Sequence, residues 1–391
     1  MMKKKILFVI DSLTCGGAEK SLVSLLPLLD KEKYEVSLWM LSPIGPFVSL
    51  VPKDVRIIEQ PSYNRFEQLK LRMGRFYYSL LIRVMRLLNI KEHGAETLWK
   101  CIGWAYKIPK GEWDVVFAYQ QGFPTYLVAE KFKATKKFAW VNVNIFAAGY
   151  NTQFNGKFYQ SFNVIVPVSQ MLSDLLIEMM PKFKDKYNLI YDILNPNLIR
   201  DYSQLDVPKL NKTVDDWVFV TTGRLVPQKG HDIAVKAASV LKQHGIKFHW
   251  YFVGEGPERT NIERWKKDLG VDEEVVLLGL QTNPYAYMAQ ADVYVQTSKF
   301  EGFGLTIGEA KILGKPVVST NFDVVHNQLT HEQNGLIADM SGESVAENIL
   351  RLIKDDELRT SIVAAVNAEE NTTYISEVVK VERLIDSDYE N

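Results

Sequence analysis

Short runs of β-branched and aromatic residues alternate along the chain with stretches whose apolar positions recur every three or four residues. The runs predict strands at 5–10, 35–40, 114–119, 138–143 and 164–168, with a helix over 18–29 after the first. The same style resumes later. Strands are expected at 217–222, 247–253, 275–278, 293–295 and 316–320, and helices at 231–244 and about 258–268. Strand–helix alternation of this kind builds parallel sheets covered by helices. Between the two series lies a polar stretch with two prolines and no periodicity. The expected fold class is therefore α/β, with two Rossmann-like doubly wound domains facing a central cleft. The expected boundaries are 1–195, a linker at 196–213, a second domain at 214–370, and a tail at 371–391 that packs back on the first domain. In doubly wound sheets, ligands sit beyond the carboxyl ends of the strands.

Composition narrows the classes. The 391 residues carry 46 Lys plus Arg against 47 Asp plus Glu, a net charge of −1. A general nucleic-acid binder should be more basic, so no nucleic-acid partner is expected. Two cysteines, Cys15 and Cys101, exclude a disulfide framework and a Cys-rich metal site. At the N-terminus, Asp11 interrupts the apolar run after five residues, which reads as a first strand rather than a signal peptide. The longest charge-free window, 138–156, contains four asparagines and a glutamine, so no transmembrane helix is expected.

The most informative stretch is EGFGLTIGEA, residues 301–310. Gly302 and Gly304 permit tight turns and close ligand approach. A helix beginning near Leu305 and Thr306 would offer free N–H groups and a positive dipole end, which suit a diphosphate. Glu309, one turn in, could accept hydrogen bonds from a ribose diol, and Glu301 could reach sugar hydroxyls. The alternative is a helix start with solvated glutamates. Arg224 and Lys229, after the strand at 217–222, are candidates to hold the charge of a departing diphosphate; the alternative is two surface cations. Gly16 and Gly17, after the first strand, would let the backbone close over a donor, or serve as a plain turn into a helix. They lack the G-x-G-x-x-G fingerprint of dinucleotide binding. An Asp-x-Asp pair of the metal-using kind occurs only at Asp386-Ser387-Asp388, near the chain end, and His326 with His331 lacks metal-site spacing. No metal or other cofactor is expected.

EGFGLTIGEA resembles the E-x7-E motif of retaining glycosyltransferase family 4, of the bacterial surface-polysaccharide type. GGAEKSL (16–22), TTGRLVPQKGHD (221–232) and VGEGPER (253–259) are similar to that family's other loops. The resemblance implies the GT-B fold and transfer of a sugar, with retention of configuration and without metal. The donor would be a nucleotide sugar, UDP ahead of GDP. The acceptor would be a glycan or lipid-linked glycan in cell-surface polysaccharide synthesis. It also implies that Gly254 and Glu255 lie near the nucleotide. Glu301, Arg224 and Lys229 become the catalytic candidates, and a cytoplasmic, inner-membrane-peripheral location is expected. Front-face substitution, with the diphosphate oxygen taking the acceptor proton, is the expected mechanism. Rival readings are a nucleotide-sugar epimerase of the same fold and a non-catalytic sugar-nucleotide-binding protein. A hydrolase lacks its G-x-S-x-G.

Residues 138–173 hold one charged residue, Lys157, among amides and aromatics. Trp140, Asn142 and Asn144 are the acceptor-side candidates; the alternative is a buried strand with a polar loop. Relatives often carry a histidine where Asn142 stands, and an asparagine cannot act as a base. Lastly, Arg65, Arg72, Arg75, Arg83 and Arg86 fall within an arc of about 80° on a helical wheel. Leu69, Tyr77, Leu80, Leu81, Val84, Leu87 and Leu88 fall outside it. A helix there would present a cationic stripe beside apolar surface, as anionic membranes attract, or it is an ordinary surface helix with solvated arginines.

Overall fold

The computed structural model describes residues 2–14, 16–90, 92–213, 216–369 and 373–387. Cys15 and Asp388 lie outside these residues. The chain divides into two compact units. The first runs to Ile193 and resumes at Ser376, and the second spans Leu194–Ile375.

In the first unit, strands β1 (Lys4–Ile10), β2 (Tyr34–Met40), β3 (Arg56–Ile57), β4 (Trp113–Ala118), β5 (Ala134–Val141) and β6 (Val164–Pro167) form a parallel sheet ordered β3-β2-β1-β4-β5-β6. Its helices are α1 (Gly17–Leu25), α2 (Arg65–Leu87), α3 (Gly94–Ile102), α4 (Phe123–Lys131), α5 (Thr152–Tyr159) and α6 (Gln170–Met179). The central strands are buried on both faces and read as apolar runs, as parallel strands must. Phe8 stacks on Phe117 at 4.5 Å between centroids, and Tyr119 on Trp140 at 4.9 Å. β3 escaped the sequence reading because its two residues are exposed and carry no apolar run.

The second unit begins with α7 (Pro196–Ser203), so the expected linker at 196–213 is corrected at its start. Asn195 caps this helix, accepting from the N–H groups of Asn197 and Leu198, and Pro196 occupies the first turn. Ile199 is buried, and α7 packs within the second unit. The sheet order is β12-β11-β10-β7-β8-β9, from β7 (Trp217–Thr222), β8 (Phe248–Val253), β9 (Val275–Gly279), β10 (Val293–Gln296), β11 (Val317–Thr320) and β12 (Leu336–Ala338). The helices are α8 (His231–Gln243), α9 (Arg259–Asp268), α10 (Pro284–Ala289), α11 (Leu305–Ile312), α12 (Gly342–Lys354) and α13 (Asp356–Ala368). One polar chain crosses its core: the Trp250 indole N–H donates to Thr221 Oγ1, whose hydroxyl donates to the Val295 carbonyl at 2.6 Å.

The last helix, α14 (Thr373–Asp386), belongs from Ser376 onward to the first unit. Glu377 accepts from the Tyr191 N–H, Glu382 from the Asp30 N–H, and Asp386 from Lys4 and the Tyr34 hydroxyl. Asp386 is thereby part of a structural tie.

In both sheets the chain reverses its strand order at one seam, between β1 and β4 in the first and between β7 and β10 in the second. Loops leaving the carboxyl ends of strands at such a seam diverge and leave a crevice. A cavity of about 880 Å³, lined by residues of mixed charge including Lys5, Glu35, Arg56 and Glu112, opens at the opposite, amino-terminal edge of the first sheet.

Candidate functional site

The loops after β7 and β10 are laced together across the seam of the second sheet. Lys299 N–H donates to the Gln228 carbonyl at 2.8 Å, the Gln228 side chain donates to the Phe300 carbonyl at 2.8 Å, and Thr297 Oγ1 donates to the Lys229 carbonyl at 3.1 Å. Gly230 makes the approach possible. It sits at φ +61°, and a Cβ there would lie 2.0 Å from the Thr297 carbonyl oxygen.

That lacing brings Lys229 to Glu301. Lys229 Nζ donates to Glu301 Oε1 at 2.5 Å, with the two side chains only 18% and 10% exposed. The same oxygen accepts from Ser298 Oγ at 2.6 Å and Gln296 Nε2 at 2.8 Å. Three donors on one carboxylate oxygen fix its orientation and spread its charge. Gln296 is itself held, its Oε1 accepting from the Tyr294 hydroxyl at 2.8 Å and Thr306 Oγ1 at 3.0 Å. Gln296 and Ser298 were not singled out from the sequence. Their position at the carboxyl end of a buried strand was the available signal. Beside them, burial and then the Lys229 charge drive His231 down to about 4, which keeps its imidazole neutral.

Arg224 is exposed and forms no ion pair among the described residues. So the two expected phosphate cations differ: Lys229 is compensated by a carboxylate, while Arg224 stands open to solvent. Gly304, at φ +84°, precedes α11, and no side chain caps that helix. Leu305 and Thr306 open it and are buried. The turn at Gly302–Gly304 is held by Gln328, which donates to the Gly304 carbonyl at 3.0 Å and also to that of Phe303.

Glu309 differs from expectation. It has no exposed surface, and the Tyr285 hydroxyl donates to its Oε1 at 3.1 Å. In this conformation it presents nothing to a ribose, because α11 turns it toward α10. Gly254 and Glu255 also differ. Gly254 lies at φ +155° with its absent Cβ 1.9 Å from the Gly223 carbonyl oxygen, and the Glu255 side chain pairs with Arg259. Close packing of one loop on the next explains Gly254 without a ligand.

In the first unit, Gly16 and Gly17 open α1. Space above Gly16 is filled by Glu19, whose Oε2 would lie 2.1 Å from an added Cβ. A resident carboxylate thus occupies the ground expected for a donor phosphate. Trp140 is 1% exposed and stacks in the core, so it offers no floor to a sugar. Asn144 is a turn residue, accepting from the N–H groups of Phe146 and Ala147. Asn142 is buried beside Asp192.

Two further acids gather by these residues, neither flagged by the sequence because a lone aspartate has no spacing signature. Desolvation, reinforced by Glu19, pushes the Asp11 carboxyl up to about 6. Asp192 is pushed up to about 7, chiefly by desolvation and slightly by Glu19, with neighbouring Ser21 and Asn142 opposing. Raised carboxyl values mean that the folded state holds protons the unfolded chain releases. Their contribution is complete below about pH 4 and is lost as pH rises through about 7. Asp192→Asn should therefore flatten the fall in Tm between pH 5 and pH 8. His93, lowered by burial, works oppositely at acid pH. An unchanged slope in thermal melts of the variant would refute the assignment.

Among the described residues no three His, Cys, Asp or Glu side chains group as metal ligands.

Residues 203–368 match the family described as "Glycosyl transferases group 1". The match spans most of the second unit. The matched residues contain the seam, Arg224, Lys229, Glu301 and Glu309. The lipopolysaccharide core biosynthesis glycosyltransferase LpsE of Rhizobium meliloti is 32% identical over 159 residues, 40% of this chain and 46% of that protein. The N-acetylgalactosamine-N,N'-diacetylbacillosaminyl-diphospho-undecaprenol 4-alpha-N-acetylgalactosaminyltransferase of Campylobacter jejuni is 25% identical over 362 residues, 91% of this chain and 92% of that one. The first two curated relatives, LpsE and LpsD, are each matched over about half their length, 46% and 50%. The crystal structure of Anabaena Alr3699/HepE in complex with UDP superposes with a TM-score of 0.69 at 19% identity, covering 98% of this chain and 100% of that one. The fold is GT-B: two parallel six-stranded sheets, each wound with helices in its own unit.

Proposed function

We propose that the protein transfers a sugar from a nucleotide sugar, a UDP-sugar, to a glycan or lipid-linked glycan during assembly of a cell-surface polysaccharide. The observation that carries this reading is the Lys229–Glu301 pair at the seam of the second sheet, beside open Arg224 and uncapped α11. Support also comes from the relatives, named as glycosyltransferases of lipopolysaccharide core and of a diphospho-undecaprenol acceptor, and from UDP in the Anabaena structure.

Breaking the bond between the anomeric carbon and the diphosphate loads negative charge onto the departing oxygen. Preorganised positive groups stabilise that charge most when they need not move. Arg224 and the N–H groups opening α11 fill this role, and no metal is required of them. Lys229 shares itself between Glu301 and the phosphate. Glu301 orients the sugar: with Oε1 receiving three hydrogen bonds, Oε2 is left for a sugar hydroxyl, and the triply solvated carboxylate is a poor nucleophile. That supports front-face transfer with retention, the diphosphate oxygen accepting the acceptor proton. Glu309 receives the ribose diol once the Tyr285 hydroxyl gives way. A lipid-linked acceptor would hold this chemistry at the inner face of the membrane.

The test is incubation with a panel of UDP- and GDP-sugars and a diphosphate-lipid glycan, with the product's anomeric configuration read by NMR. Release of UDP, an α-linked product from an α-donor, and full turnover in EDTA are expected. An epimerised donor formed without acceptor would replace this reading by an epimerase. Absence of turnover despite a donor-dependent rise in Tm would leave a binding protein.

A further inference from the structure

Strand β10 ends on a residue that a strand buried on both faces does not call for. Gln296 is 1% exposed, and burying an amide costs free energy unless its donors and acceptors are matched. All four are matched. Nε2 donates to Ser298 Oγ at 2.7 Å and to Glu301 Oε1 at 2.8 Å, while Oε1 accepts from the Tyr294 hydroxyl at 2.8 Å and from Thr306 Oγ1 at 3.0 Å.

The protons of this network run one way. Tyr294 has a single hydroxyl proton and gives it to Gln296, so in the 3.2 Å contact with Thr222 Oγ1 it is Thr222 that donates. Burial pushes the Tyr294 phenol up, which keeps its proton in place. Ser298 accepts from Gln296 and turns its own proton to Glu301 Oε1, at 2.6 Å. Exchanging the two ends of the amide would set its oxygen against the Glu301 carboxylate and take the donor from Ser298. The carboxylate therefore fixes which way the amide faces, and the amide fixes the carboxylate.

The two ends of the amide hold different parts of the site. Nε2 holds the carboxylate that orients the sugar in the reading above. Oε1 holds Thr306 in the first turn of α11, whose free N–H groups that reading sets against the diphosphate. The amide is planar, so neither end moves without the other. We propose that Gln296 is a positioning residue for sugar transfer, tying Glu301 to the opening turn of α11 so that sugar and departing diphosphate are gripped in one register. The inference rests on the glycosyl-transfer reading and adds to it a residue that touches neither substrate. Reactive alignment is sensitive to such a tie, since a misplacement of about 1 Å can cost roughly 100-fold in rate. Donor binding is less so, because Arg224 and the backbone of α11 are unaltered.

The test is steady-state transfer by wild type, Gln296→Glu and Thr306→Val from about pH 6 to about pH 9, with the sugar nucleotide that wild type turns over and with Tm taken at each pH. In Gln296→Glu a second carboxyl faces Glu301. Ionised, it repels that carboxylate and gives Ser298 no donor; protonated, it restores one donor. At the alkaline end kcat is expected roughly 100-fold below wild type with donor KM within about threefold, and the deficit should narrow to roughly tenfold at the acid end. Lys229 and Tyr294, the other titratable groups of this network, are common to both proteins, so the difference between the two profiles reports the introduced carboxyl. Thr306→Val cuts only the tie to α11 and leaves all three donors on Glu301, so kcat should fall roughly tenfold at unchanged donor KM and near the wild-type Tm. A folded Gln296→Glu with kcat within about threefold of wild type at the alkaline end overturns the inference, as does a loss confined to KM or to Tm. If Gln296→Glu does not fold, Thr306→Val decides alone: a fall in kcat at constant KM upholds the tie, and wild-type kcat overturns it. Wild type that transfers no sugar is a separate failure, which removes the glycosyl-transfer reading and the positioning role with it.

Discussion

Glu301→Gln is expected to lower kcat/KM for sugar transfer by roughly 100- to 1,000-fold, a loss of about 3–4 kcal/mol of transition-state stabilisation. The substitution keeps size and removes charge. Lys229 is then left about four-fifths buried without its counter-ion, so stability should fall as well, by a few kcal/mol for a pair this sheltered. Lys229→Met does the converse, stranding Glu301 beside Ser298 and Gln296, and should cost both stability and turnover. The double variant separates the two effects. With neither charge present, Tm should recover toward wild type while turnover stays low. Recovery of turnover with Tm would make the pair a structural tie. Glu301→Gln turning over within about threefold of wild type would remove its assigned contact with the sugar.

The seam was legible in the sequence because its parts have period and spacing. β7 and β10 are buried parallel strands that read as apolar runs, and each is followed by glycines and then a helical stretch. Arg224, Lys229 and Glu301 could be named for the same reason, since each stands at a strand's carboxyl end. The structure then divides them: Lys229 pairs with Glu301, and Arg224 does not. That division depends on Gly230 and Gln228 pulling two loops into contact, a long-range event without local signature. Trp140 was misjudged for a related reason. A charge-free aromatic stretch fits both a sugar-binding floor and a core strand, and only packing against Tyr119 decides between them. The Gly16–Gly17 turn was expected to close over a donor, with a plain turn into a helix as the alternative; it opens α1, and Glu19 fills the ground above it. Whether a helix terminus stays open to an anion depends on the rotamer of a neighbouring acid. α2 shows the opposite limit. Its arginine stripe was visible at helical spacing, yet only the placement of Gly74 against α3 determines which side faces outward.

Gly254→Ala is expected to unfold the second unit or to cost it more than about 4 kcal/mol. Two penalties coincide there. The φ of +155° is one that side chains rarely adopt, and the new Cβ would lie 1.9 Å from the Gly223 carbonyl oxygen, which belongs to backbone and cannot swing away. Gly223 in turn leads into Arg224, and the Leu225 N–H is bonded to the Glu255 carbonyl at 2.9 Å, so relief of the clash would have to break the join between the turns after β7 and β8. Gly245→Ala is the control. It shares a positive φ, +74°, but has nothing within 4 Å of the added carbon, so it should cost only about 1–2 kcal/mol of left-handed backbone strain. Calorimetry that resolves the two units should show the first unit's transition unmoved in both variants. The comparison also distinguishes two reasons for a glycine after β8. If ligand approach were the reason, Gly254→Ala would melt like the Gly245 variant and lose only affinity for nucleotide. If backbone contact between the turns is the reason, the unit fails first, and any loss of nucleotide binding follows from that failure.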